Sequence, residues 1–371
     1  MSRMGVFAEQ KNEPAVRIGG RKRHMGLEYL RVVAAYMIVW IHAWALASEA
    51  SAVDIFVSAV VYSLVQVAVP VFVLLSGAFL IQNERNMNAL EFWKKSFIKL
   101  FPLSFCFFVL AFFWPHPVCS VEKLAQCGMI ELGEIIVRWY AGGAGSALWF
   151  LCMLPGLYFM LPFIARLWKY MSFAFFASVA TVLFVISLVM RYLGFDLPHP
   201  ISALLWLGCF LLGPCLMKWA GNASRRAVWW GIMVVIAVVI CSIVCRYIVF
   251  SADGFDITFN VRLEQPFLLV LLPAVFFVFS AWKPEPRNWV IKLSSLSFVI
   301  YMAHPPCLQV IRAVLFYMGY IDQLHQGWLN NVMFSCAGCV SATVAAFIID
   351  WVYTRIVNRL SFKASIEHLA L

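Results

Sequence analysis

Ten long apolar runs leave this chain few ways to fold. They lie near residues 27–47, 56–82, 97–114, 147–165, 172–192, 200–217, 228–250, 265–282, 293–317 and 331–353. Most approach the roughly 20 residues that a helix needs to cross the hydrocarbon of a bilayer. They are continuous rather than alternating, which excludes a closed barrel, and lipid forces each backbone polar group to be satisfied within its own helix. The expected fold is an all-α integral membrane protein, a bundle of about ten transmembrane helices. Of the 371 residues, 63% are apolar and 12% charged, whereas soluble domains run nearer half and a quarter. That balance excludes an ordinary cytosolic enzyme, a disordered regulator and a secreted disulfide scaffold. Most of the eleven Cys sit inside apolar runs, where they act as small hydrophobes. Cys119 and Cys127 fall instead in the polar stretch 115–146, where a disulfide is open to them only if that loop lies outside.

The formal net charge of +10 sorts by side. With the N-terminus inside, 21 of the 28 Lys and Arg fall on inner segments, including Arg21, Lys22 and Arg23, Lys94, Lys95 and Lys99, Arg225 and Arg226, and the tail. The outer loops hold Lys123, Arg138 and Arg262 among many acids, such as Glu49, Asp54, Glu131 and Glu264. Both termini are therefore expected to be cytoplasmic, and the positive charge is topology rather than a nucleic-acid footprint. Residues 1–26 are expected to form a basic cytoplasmic segment, 27–353 the membrane domain, and 354–371 a cytoplasmic tail. The basic start, apolar run and Ala45-Leu46-Ala47 imitate a signal peptide. A 47-residue signal would be long and would contain Arg31 and His42, so an uncleaved first helix is expected.

Ionisable residues within a span are costly and mark function by default. The first run carries Arg31 and His42. Eleven helical steps return to nearly the same face, about 16 Å along the axis. One face thus offers an anion binder at the inner mouth and a proton acceptor deeper in. The bland reading makes Arg31 a snorkelling anchor and His42 a packing residue. His304 lies at a matching depth, just before Pro305 and Pro306. The prolines are expected to break or kink that helix and open a polar chamber; the bland reading has His304 satisfy the broken helix. Ser76-Gly77-Ala78 would permit close helix packing. Cys336 and Cys339 form a C-x-x-C, but within a continuous apolar run, which argues against redox or metal chemistry; no H-E-x-x-H, phosphate loop or nucleophile elbow occurs.

In order along the chain stand Glu28, Arg31 and His42; Phe72-Val-Leu-Leu-Ser76-Gly77; Phe92-Trp93-Lys94-Lys95-Ser96-Phe97-Ile98-Lys99-Leu100-Phe101-Pro102; Leu148-Trp149-Phe150-Leu151 with Tyr158 and Pro162; and Ser297, Tyr301 and His304. This ordered set resembles the acyltransferase-3 family of integral membrane acyltransferases, in particular its compact members that O-acetylate bacterial surface polysaccharide. One departure is Ser96-x-x-Lys99, where the family usually has Arg-x-x-Arg; Lys is a point charge without the guanidinium fork.

The resemblance implies transfer of an acyl group, by default acetyl, from cytoplasmic acyl-CoA to a hydroxyl of a cell-surface carbohydrate or its lipid-linked precursor. It places the protein in the bacterial inner membrane and assigns catalysis to His42, Arg31 and Glu28. Lys99, Lys95, Ser76, Trp149, Tyr301 and His304 would line the substrate sites. Acetyl-CoA is a co-substrate, and no permanently bound cofactor or metal is expected. The rival reading is a transporter, flippase or assembly subunit for a surface polysaccharide. Against it, the Arg/His feature has no inverted repeat in the second half.

Overall fold

The computed structural model describes residues 16–18, 21–45, 50–113, 129–141, 147–195, 197–253, 256–324 and 326–369. Ahead of the first helix, Val16–Ile18 pairs antiparallel with Arg21–Arg23. The helices are α1 (Met25–Ala43), α2 (Ala52–Val65), α3 (Ala68–Leu80), α4 (Ala89–Phe113), α5 (Met129–Ala141), α6 (Trp149–Tyr170), α7 (Phe173–Tyr192), α8 (Leu207–Gly221), α9 (Arg225–Asp253), α10 (Ile257–Ala281), α11 (Asn288–Tyr317) and α12 (Trp328–Leu369). Short 3₁₀ turns at Glu84–Met87, Ile201–Trp206 and Ile321–Gln323 complete the order.

Eight helical stretches among the described residues are long and apolar enough to cross a bilayer, with α2 and α3 forming one of them, Ala52–Leu80. Two expected runs are not among the eight. In α1, Glu28, Arg31 and His42 dilute 19 residues that are otherwise long enough. In α4 the apolar part contracts to Leu100–Leu110, behind the Lys-rich first half. The polar stretch 115–146 contains a helix that its composition did not announce, α5, whose Tyr140 hydroxyl donates to the Cys152 carbonyl (2.9 Å). Cys119 and Cys127 lie outside the described residues.

The run at 56–82 is two helices rather than one. Pro70 has no N–H to offer the Gln66 carbonyl, so the ladder is interrupted there and α3 starts with the proline in its first turn, where it is tolerated. By contrast, Pro305 and Pro306 do not break α11, which continues from Asn288 to Tyr317. The expected break is therefore absent: like Pro155 and Pro162 in α6 or Pro266 and Pro273 in α10, these prolines lie inside a continuous helix.

Small residues decide which helices lie at the centre. α3 and α8 cross so closely that a Cβ on Gly77 would meet the Phe210 carbonyl oxygen at 1.8 Å, and one on Gly213 the Leu74 carbonyl oxygen at 2.2 Å. This is the close approach that Ser76-Gly77-Ala78 permits, with glycines contributed by both partners. The apolar window of Ala52–Leu80 is 78% buried, whereas that of Arg225–Ala252, in α9, is 11% buried. The Ala52–Leu80 span is thus central, and α9 turns most of its surface to lipid.

α9 is nevertheless anchored by a charge. Arg246 is completely buried, and its guanidinium donates to Ser242 Oγ (2.7 Å), Asn260 Oδ1 (3.0 Å) and Gln66 Oε1 (3.2 Å). Ser63 and Ser242 share a hydrogen bond of 2.9 Å, and Gln66 Nε2 returns to the Ser63 carbonyl (2.8 Å). The network joins α2, the α2–α3 junction, α9 and α10. Glu264, expected in an outer loop, lies within α10 and interacts electrostatically with Arg246.

Two stability outcomes follow. Gly77→Val should lower the thermal unfolding midpoint of the detergent-solubilised protein, by the equivalent of roughly 1–3 kcal/mol for overpacking. Arg246→Met removes one partner from a buried polar network and should cost about 3–5 kcal/mol. An unchanged midpoint for Arg246→Met would mean that the network is not holding α9 in place.

Candidate functional site

The site grows from the contact of α1 with α11. The two helices run parallel and touch at both ends of a shared stretch: Arg31 reaches Ser294, and His42 reaches His304. Between these contacts Ala35 and Val39 pack against Leu296 and Ile300, with Ala342 and Ala346 of α12 closing the cluster. Tyr36 and Thr343 add a hydroxyl pair at 3.0 Å. Arg31 and His42 therefore act as one helix edge seated along one partner helix.

At the first end, Glu28 is 6% exposed. Its Oε1 accepts from Arg23 Nη1 (3.4 Å), and its Oε2 accepts from Arg31 Nη1 (3.3 Å) and from the Ser294 hydroxyl. Arg31 also donates to Ser294 Oγ (3.4 Å) and lies over the Phe79 ring of α3, 5.1 Å from its centroid. Tyr158 of α6 interacts with it electrostatically. One buried carboxylate thus serves two guanidinium groups, and the donors not bound to Glu28 remain on a part-exposed Arg31. That is a fixed cationic mouth suited to an anionic group.

α4 borders this region through Phe92 against Tyr158 and through Trp93 Nε1, which donates to the Tyr158 carbonyl (3.1 Å). Its lysines were expected to contact the donor beside Arg31. Lys95 is exposed and pairs with Glu91 one turn back. Lys99 is placed on α4, but its side chain lies outside the described residues.

At the second end, the rings of His42 and His304 are 5.0 Å apart between centroids. His304 is fully buried, and its Nδ1 bonds the Tyr301 carbonyl. Its Nε2 is buried without a hydrogen-bond partner among the described residues. The Tyr301 ring lies 5.7 Å from His304 and edge-on to Phe150, and its hydroxyl donates to the Ala147 carbonyl (3.1 Å). Trp149 continues the line, 6.1 Å from His199 and 5.4 Å from Trp206. Ser76 is half-buried on α3, one turn beyond Phe72, which packs on Phe150 (6.5 Å). A row of rings thus runs from His42 through His304, Tyr301 and Phe150 to Trp149.

The chain around this end is tied down. Asn331 of α12 donates to the Ala45 carbonyl (2.9 Å) and accepts from the Ala45 amide (3.3 Å), just past the end of α1. Asp54, which caps α2 in a reciprocal pair with Ser51, accepts from the Trp328 amide (2.7 Å).

Sequence reasoning overlooked several charged residues. Arg246, Arg191 and Arg312 also stand inside apolar runs, and the rule that singled out Arg31 and His42 would have found them. Arg191 lies over the Trp206 ring at 4.1 Å, and Arg312 over Phe334 at 5.4 Å. Arg312 also interacts electrostatically with His42. Ser294 was overlooked because its importance comes from a contact 263 residues away.

Comparison with the curated proteins and with the solved structures gives no match. The acyltransferase-3 family model, described as an acyltransferase domain, matches residues 25–351, which take in α1 and both histidines. A multi-pass helical chain with an ordered Arg/His edge, matched over nearly its whole length, belongs to the acyltransferase-3 family of membrane acyltransferases.

Proposed function

We propose that this protein is an O-acetyltransferase of the bacterial inner membrane. It takes an acetyl group from cytoplasmic acetyl-CoA and delivers it to a hydroxyl of a cell-surface carbohydrate or its lipid-linked precursor. The observation that carries this reading is the α1 edge: a buffered guanidinium at one end and a histidine about 16 Å further along, both against α11. Such an edge suits a donor that is anionic at one end and reactive at the other.

Arg31, held by Glu28, binds the phosphates of CoA at the cytoplasmic mouth, with Lys99 and Lys95 of α4 as further cations, Lys95 exchanging its exposed pair with Glu91 for a phosphate. Both termini face the same side, as the Lys and Arg distribution requires. The thioester then lies towards His42. Ser76, Trp149, Tyr301 and His304 line the acceptor side, where aromatic faces suit a sugar ring.

In the transfer step the acceptor oxygen forms a bond to the acetyl carbonyl carbon as His42 takes the hydroxyl proton. The carbon–sulfur bond then breaks, and His42 returns that proton to the CoA thiolate. General-base assistance of this kind is worth about 10²–10⁴-fold. Arg31 provides binding rather than chemistry, through a fork of donors that Lys does not reproduce.

Purified protein in lipid nanodiscs, given radiolabelled acetyl-CoA and surface polysaccharide, tests this directly. The wild type should move label into the polysaccharide, and His42→Ala should lower kcat by about 10²-fold or more at normal protein levels. Wild-type-like acetylation by His42→Ala would sink the assignment of the base. Arg31→Lys should raise the KM for acetyl-CoA by roughly tenfold with a smaller change in kcat, because a binding contact is weakened rather than a proton transfer.

A further inference from the structure

α11 passes through Pro305 without breaking, and the way it does so has a chemical result. In an α-helix the amide of residue 305 would donate to the carbonyl of residue 301. Pro305 has no N–H, so the Tyr301 carbonyl loses its donor inside the bilayer, where an unanswered backbone group is expensive. His304 Nδ1 occupies that position. A carbonyl oxygen only accepts, so Nδ1 carries the hydrogen. In the neutral ring the other nitrogen then carries only a lone pair. That nitrogen, Nε2, is buried and has no partner among the described residues. The nearest ring described beside it is His42, 5.0 Å away. At this separation a small rotation of His42 closes an N–H···N contact of ordinary length, about 3 Å.

We propose that His304 is a positioning residue for His42, with its tautomer set by Pro305. His304 Nε2 accepts the N–H of His42. This fixes which His42 nitrogen is protonated and leaves the other bare towards the acceptor hydroxyl. The hydroxyl proton goes to that bare nitrogen and later to the thiolate, while His304 keeps its own proton on Nδ1 throughout. An acceptor behind the base also stabilises the imidazolium that forms on His42, the part a carboxylate plays behind the histidine of a catalytic triad. This inference rests on the acetyltransferase reading and gives a role to the second histidine.

Two amide substitutions separate positioning from a merely structural cap. In His304→Asn the side-chain NH₂ reaches about where Nδ1 sits, so the Tyr301 carbonyl keeps a donor but Nε2 is lost. In His304→Gln the amide reaches about where Nε2 sits, so an acceptor for His42 remains but the carbonyl loses its donor. Acetyl transfer from radiolabelled acetyl-CoA to surface polysaccharide is measured in nanodiscs, with thermal unfolding as a control for folding. His304→Asn should unfold near the wild-type temperature, lose about 10²-fold or more in kcat and keep its KM for acetyl-CoA. His304→Gln should be the more active of the two. The opposite ranking, or an Asn variant within about threefold of wild type, overturns the proposal and leaves His304 as a helix cap.

A second measurement does not depend on activity. Nitrogen-15 NMR of histidine-labelled protein, with the His304 signals assigned by their loss in His304→Asn, distinguishes protonated from bare ring nitrogens. Protonated Nδ1 with bare Nε2 supports the assignment, and the reverse overturns it. A wild type that transfers no acetyl overturns the function proposed above, and the NMR result then judges the tautomer alone.

Discussion

A charge or lone pair carried into lipid has to find its partner on a neighbouring helix, and that requirement organises this protein. Glu28, Arg31 and His42 give α1 three polar groups, of which Glu28 and Arg31 pair with each other and still reach Ser294 of α11. α11 answers at both ends, with Ser294 and with His304, and so sets the direction and register of the pair. Apolar packing alone would be less selective, because Leu against Leu gains little over Leu against lipid. The polar contacts say which face of α1 meets which face of α11.

The same requirement operates on the far side of the bundle. Arg246 would be intolerable on a lipid-facing α9, but it reaches inward to Gln66, where Pro70 has already interrupted the α2–α3 ladder. The charge is met there by the Gln66 side-chain oxygen. Within α11, His304 takes the place of the backbone donor that Pro305 lacks. Only at Pro305 does a side chain take the place of the missing backbone donor; at the α2–α3 junction the polar contacts go to the Gln66 side chain.

The apolar runs and their order were legible in the sequence, because a span is a local property of about 20 residues. Arg31 and His42 were legible for the converse reason: charge is rare there. What stayed hidden was relational. Pro70 and Pro305 look alike as letters, yet one stands in the first turn of a new helix and the other inside a continuous one. Gln66, the partner of Arg246 at the α2–α3 junction, lies 180 residues away, and no spacing rule reaches that far. Lys95 pairs with Glu91 one turn back, a local contact that its place in a motif does not show. Sequence shows which residues need partners more readily than which partners they will have.

The link between Arg31 and Ser294 spans 263 residues of chain. At ribosomal speeds of roughly 5–20 residues per second, α1 waits on the order of tens of seconds before α11 has been made. During that interval the nascent first helix holds a carboxylate, a guanidinium and an imidazole with no finished site to receive them. Maturation of this protein is therefore closed from its C-terminal end: the first helix synthesised is among the last to be completed, and a ribosome that stalls before Asn288 leaves α1 with its polar edge still unmatched.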